Sequence, residues 1–255
     1  MLIPPTVTSG DTIRAILKRA GRRAVPIRRS FLQRENRERP SPPLAEMVRR
    51  HDSRGLDLYL IVLAQASAGE FDVTHPAAVW ARALGIEGEN PRIAVSKAMG
   101  RLLAYELIKR DRVGRRAHIK LLREDGSGQA YEHPAESRDK YLQLPHGYWE
   151  GAWHKELSLA AKAGLLIALS LPPEFFLVIE SGPSRFGVSA DTLERGLSEL
   201  QRKGLLSRRS IYKPDPLTDL GYRTEFRYWL REPCRRARPT SELVDEPAGV
   251  ASDAV

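Results

Sequence analysis

Residues 85–123 read GIEGENPRIAVSKAMGRLLAYELIKRDRVGRRAHIKLLR, and their periodicity decides the fold. Gly85 offers a turn, and Asn90 followed by Pro91 supplies a helix start. A helix over residues 92–106 then places Val95, Ala98, Met99, Leu102 and Leu103 on one inward stripe. After Glu106 the pattern changes: residues 107–113 and 117–122 flank Gly114-Arg115-Arg116, which reads as a β-hairpin with a basic tip. With the stripe inward, Arg92, Ser96, Lys97 and Arg101 point outward, and Arg112, Arg115 and Arg116 mark the hairpin end. Glu106 and Asp111 are the only acids between Arg92 and Arg123.

Upstream, Leu56, Leu60, Leu63 and Ala64 recur at helical spacing within residues 55–68. Residues 71–73 suit a brief strand, and His75-Pro76 opens a short helix carrying Val79, Trp80 and Leu84. Downstream the same order returns. Tyr141-Leu142-Gln143-Leu144 is a candidate strand, and Ser158 caps an apolar helix that Pro172-Pro173 stops. A strand over residues 175–179, a short helix over 181–186 and a helix over 190–203 follow, then hairpin arms at 205–212 and 222–230. The blocks align at Gly85-Ile86 with Gly187-Val188, and again with Arg101 opposite Glu199 through Ile108 opposite Leu206. One fold used twice explains this better than two unrelated units.

The run Val95-Ser96-Lys97-Ala98-Met99, with Leu107-Ile108-Lys109-Arg110, resembles the third helix and wing entry of bacterial winged-helix regulators of the multiple-antibiotic-resistance type. Ser189-Ala190-Asp191-Thr192-Leu193-Glu194-Arg195-Gly196-Leu197, with Lys203-Gly204-Leu205-Leu206, resembles it more closely. Two such units in one chain also resemble plasmid and phage replication initiators. The resemblance covers residues 56–230. It implies an α+β fold of tandem winged helix-turn-helix domains, mainly helical with small hairpin wings. It also implies that the third helix enters the major groove of duplex DNA while the wing lies on the backbone or minor groove.

In the first unit, Arg and Ser on the outward helix face suit base edges, and Arg112, Arg115 and Arg116 suit phosphates. The aligned face of the second unit offers Thr192, Glu194, Arg195, Ser198 and Glu199, with Arg208, Arg209 and Lys213 on its wing. Carboxylates facing phosphates are repelled, so this face is expected to read cytosine, to bind DNA weakly, or to hold a protein, including a second copy of the chain. A docking module without DNA readout is the competing reading.

Length bounds the rest: 255 residues fit two compact units, and a formal charge of +9 favours polyanionic partners. The expected layout is a basic, flexible arm over residues 1–43, winged-helix units over 44–124 and 140–232, a Gly/Ser-rich linker over 125–139 and a disordered tail over 233–255. Cys234 is the single cysteine, so neither an internal disulfide nor a cysteine-based zinc site can form. The longest apolar run, residues 163–171, is too short to span a bilayer. The Arg-rich, acid-poor start, with residues 11–20 reading as a short amphipathic helix, also fits a transit peptide, but a cytoplasmic, nucleoid-associated protein of a bacterium or phage is the expectation. His51-Asp52-Ser53-Arg54 has the spacing found in tyrosine recombinases, without the large catalytic domain such an enzyme needs. The other histidines lack metal-ligand spacing, and there is no Gly-rich Lys-Ser/Thr loop. No enzymatic activity, metal or cofactor is expected. Trp80, Trp149, Trp153 and Trp229 sit in apolar contexts and read as core.

Overall fold

In the computed structural model, which describes residues 6–34, 41–66, 70–88, 90–113 and 116–235, both periodic blocks become helices against small antiparallel sheets. Of residues 112, 113 and 116 only the backbone is described. The first block runs α3 (Ser53–Ala66), β2 (Asp72–Thr74), α4 (Ala77–Ala83), α5 (Pro91–Ala104), β3 (Ile108–Val113) and β4 (Arg116–Leu121). Its counterpart runs α8 (Leu159–Ser170), β6 (Glu174–Phe176), the one-turn α9 (Gly182–Arg185), α10 (Ala190–Arg202), β7 (Leu206–Pro214) and β8 (Tyr222–Leu230). Their sheets have the same strand order, β2-β4-β3 and β6-β8-β7.

Backbone conformation repeats as well. Gly85 and Gly187 both take left-handed φ, 62° and 69°, in the turn before α5 and α10. Past the end of those helices, Glu106 at φ 55° stands where Gly204 has φ 74°. The same turn is thus built once with the residue that tolerates it and once with one that does not favour it. Gly196 of α10 lies against α8 so closely that an added Cβ would sit 2.2 Å from the carbonyl oxygen of Ala160.

Residues 6–34 do not form the flexible arm expected from their charge. Thr8 caps α1 (Ser9–Ala20) in a reciprocal capping box with Asp11, and the helix buries Ile13, Ile16, Leu17 and Ala20 against α3 and α4. The chain then forms β1 (Ala24–Arg28), which pairs antiparallel with β5 (Tyr141–Pro145), Val25 opposite Leu144 and Ile27 opposite Leu142. The strand expected at 141–144 therefore exists, but its partner lies at the other end of the chain. α2 (Pro43–Arg49) follows and packs on both α3 and α8.

Residues 125–139 are likewise not a free linker. Arg28, 1% exposed, bonds through its guanidinium to the fully buried Glu124, to Asp139 Oδ2 at 2.7 Å, to the carbonyl of Glu132 at 2.6 Å and to Ser137 Oγ at 3.1 Å. Arg123 reaches the same Asp139 oxygen at 2.9 Å, and Tyr131 lies under the Arg28 guanidinium. Two arginines thus share the two carboxylates of the cluster, Arg28 serving both and Arg123 the second, and such pairing is the condition for burying Glu124 at all.

A single apolar core runs through both units. Within it, Lys162 of α8 donates to Asp57 of α3 at 2.6 Å and to Ser53 at 3.1 Å, joining the first helices of the two blocks. Nearby, in α6 (Gly147–Glu150) and α7 (Trp153–Glu156), Tyr148 and His154 are buried. Cys234 is fully buried too, and burial pushes its thiol up to about 12, so residues 233–235 do not form part of the disordered tail expected from residue 233. Residues 236–255 lie outside the described residues.

Burial, helped by the charges of Lys155 and Lys162, lowers His154 to about 4, whereas an unfolded histidine titrates near 6.5. Between those values the unfolded chain binds the extra proton, so stability conferred by the neutral ring falls as pH drops from about 6.5 and is fully lost near 4. The integrated cost is about 3 kcal/mol. Urea denaturation from pH 7.5 to 4.5 is expected to show this loss in wild type and a flatter dependence in His154→Leu. Equal slopes would exclude His154 as the titrating group.

Candidate nucleic-acid interface

α5 exposes what its helical period leaves outside. Val95, Ala98, Met99 and Leu102 are buried, while Arg92, Ser96 and Lys97 are exposed. Leu103, expected inward, is 37% exposed, and Ile93 is 51% exposed. Arg101 is placed differently from its three neighbours. Its Nε and Nη2 donate to Asp52 at 2.7 and 2.6 Å, a two-pronged bond that fastens α5 to the start of α3. Asp52 also caps that start, accepting the Gly55 amide at 2.8 Å.

The hairpin adds further exposed cations to those of α5. Arg112 and Arg116 fall at the last two paired positions, opposite Ala117 and Val113. Their side chains and the whole of Arg115 lie outside the description. Lys109, Arg110 and Lys120 are exposed, and Lys109 pairs directly with Lys120 across the strands. Like charges so placed repel; Asp72 of β2 stands on the other side of Lys120 but bonds His118 at 2.8 Å, and a bound polyanion would offset the repulsion further. The sequence reading missed these three residues; Lys109 and Arg110 are neighbours in β3 and both exposed, which departs from the alternation of a half-buried strand, so no short-range pattern marked them. Among the described residues, no carboxylate forms an ion pair with Arg92, Lys97, Lys109, Arg110 or Lys120.

The second unit brings its candidate residues together in a different electrostatic setting. Thr192, Glu194, Arg195, Ser198 and Glu199 line a cleft of about 930 Å³ with His51 at its far wall. Glu199 accepts the Ser158 amide at 2.9 Å and the Ser158 hydroxyl at 2.5 Å. It thereby ties α10 to the start of α8, as Arg101 ties α5 to α3, here with a carboxylate accepting from a neutral cap residue in place of an arginine donating to an acidic one. Arg195 pairs with Asp191 at 3.1 Å, Arg209 with Glu174 at 2.6 Å and Lys213 with Glu225 at 2.6 Å. The Lys213 bond holds the Glu225 carboxyl below its ordinary range. Arg208 is exposed and lies over the Phe226 ring, 4.6 Å from its centre.

Trp80 and Trp149 are buried, and Trp153 and Trp229 are half-buried. His51 and Arg54 have no acidic cluster around them that could hold a metal ion, a statement that covers the described residues. Among those residues no helix is long and apolar enough to cross a membrane. No family model, curated protein or solved structure matches the chain.

Proposed function

We propose that the chain is a sequence-preferring duplex-DNA-binding protein built of two winged-helix units, with α5 the principal reading helix and the β3–β4 hairpin its phosphate-contacting wing. The repeated strand order and the helix-helix-hairpin succession support the fold assignment. The observation that carries the function is that Arg92, Lys97, Lys109, Arg110 and Lys120 are all exposed and, among the described residues, without a carboxylate partner, with Ser96 exposed beside two of them on a helix that a major groove admits.

The biological role that goes with this reading is transcription control or replication initiation at a mobile element. A protein-docking role is favoured only for the α10 cleft, where Arg195 already has a carboxylate partner and Glu194 and Glu199 add negative charge. Selection of bound duplexes from a random pool tests the proposal. The expected result is an enriched motif whose recovery falls steeply with salt. A pool that stays random, with no salt-dependent retention, rejects it in favour of a docking module.

A further inference from the structure

Four exposed large apolar side chains, including the three most exposed among the described residues, cluster at one end of the second hairpin: Tyr212 at 65%, Leu217 at 97%, Leu220 at 71% and Tyr222 at 40%. Burial explains none of them, and leaving two leucines in water at a tip forfeits their transfer free energy. The tip itself is ordered. Asp215 accepts the Leu217 amide at 3.2 Å, and the carbonyl of Asp215 accepts both the amide and the hydroxyl of Thr218. The carbonyl of Gly221 takes the Asp215 amide at 2.9 Å. Beneath the leucines, Tyr212 and Tyr222 meet edge to face with ring centres 5.2 Å apart.

The stem is long and cationic. β7 and β8 have 9 residues each against 6 in β3 and β4, which carries the tip about 10 Å further out at roughly 3.3 Å per residue. Arg209 stands opposite Arg227 and Lys213 opposite Arg223, two cross-strand pairs of like charge. Glu225 and Glu174 offset them only in part: Arg208 and Arg227 lie over aromatic rings and form no ion pair with a carboxylate among the described residues. A rigid, basic stem ending in solvent-exposed leucines has the chemistry of a minor-groove wedge, in which cations hold the phosphates while apolar side chains enter a base step.

We infer that the β7–β8 hairpin inserts Leu217 and Leu220 between base pairs of the bound duplex and bends it. This rests on the duplex-binding reading above and gives the second unit a task that needs no base-reading helix. Asp219, exposed at the tip, faces the phosphates and weakens the contact, so Asp219→Asn is expected to tighten binding.

The test uses the full chain and a mixed-sequence duplex of about 40 base pairs, rich in easily unstacked TA steps and labelled at both ends, with 2-aminopurine at several of those steps. Wild-type protein is expected to shorten the end-to-end distance and brighten the 2-aminopurine. Leu217→Ala/Leu220→Ala is expected to bind within about fivefold of wild type while producing neither signal. Because both leucines are exposed, the variant should fold as wild type, which circular dichroism checks. Unchanged bending and unstacking by the variant overturns the wedge, as does a wild-type complex that binds without either signal. A variant that differs only in sedimentation of the free protein overturns it in favour of contact between copies. Failure of wild-type protein to bind any duplex is read separately, from the affinity, and removes the parent proposal with it.

Discussion

Arg28→Ala is expected to cost about 3–5 kcal/mol of folding stability, the range for leaving one partner of a buried ion pair alone. The substitution strands Glu124 at full burial and frees Asp139, Ser137 and the Glu132 carbonyl at once. Burial already pushes the Glu124 carboxyl upward, and the Arg28 charge opposes that push. Without the arginine, Glu124 stays protonated in the folded state to higher pH than in the unfolded one. The deficit relative to wild type is therefore smallest in mild acid and grows as pH rises above the ordinary carboxylate range, where Glu124 of the wild type ionises in the folded state before that of the variant. Denaturant midpoints for Arg28→Ala and for Arg28→Ala/Glu124→Gln measure it, and the double variant should recover part of the loss. A single-variant loss below about 1 kcal/mol would mean that water or rearrangement satisfies Glu124.

The second large effect concerns binding. Arg92→Ala/Lys97→Ala is expected to weaken the duplex selected from a random pool by about 3–4 kcal/mol, roughly a hundred- to a thousandfold, with relaxed discrimination at one or two base pairs. Both side chains are exposed on α5, away from the core, so folding should be untouched. Arg101→Ala is the informative companion. It removes the bond to Asp52 and should lower stability, whereas the Arg92/Lys97 pair should lower affinity alone. Equal affinity in a folded Arg92→Ala/Lys97→Ala protein would take α5 out of the interface.

Local periodicity made the repeats legible. The stripe of Val95, Ala98, Met99 and Leu102, the Ser158 and Ser189 caps, and the alternating hairpin arms are short-range signals, and the elements lie within a few residues of where they point. The N-terminal segment was obscured by its arginines. Residues 11–20 read as a short amphipathic helix, which α1 contains, but charge made the segment around it read as a solvated arm, and neither the Thr8–Asp11 capping box nor the strand at Ala24–Arg28 was seen. Arg28 and Glu124 carry no local sign of burial, because each is satisfied by a residue 96 positions away. For the same reason, the outward angle of Arg101 and Glu199 on their helices did not reveal that Asp52 and Ser158 hold them. Cutting the chain near Gly128 would split β1 from β5 and Asp57 from Lys162, so the halves are poor independent test pieces.

The pairing of β1 with β5 also sets a clock on the ribosome. Ala24 has to wait for Pro145, its partner in register, to be synthesised. At about 5–20 residues per second that interval is roughly 6–24 s. Throughout it, the edge bearing Val25 and Ile27 has nothing to pair with, and Arg28 has neither Asp139 nor Ser137. Such an unpaired edge is what holdase chaperones and stray strands of other nascent chains recognise. Yield in a fast-translating host should therefore depend on elongation rate between codons 28 and 145 more than on the stability of the finished protein.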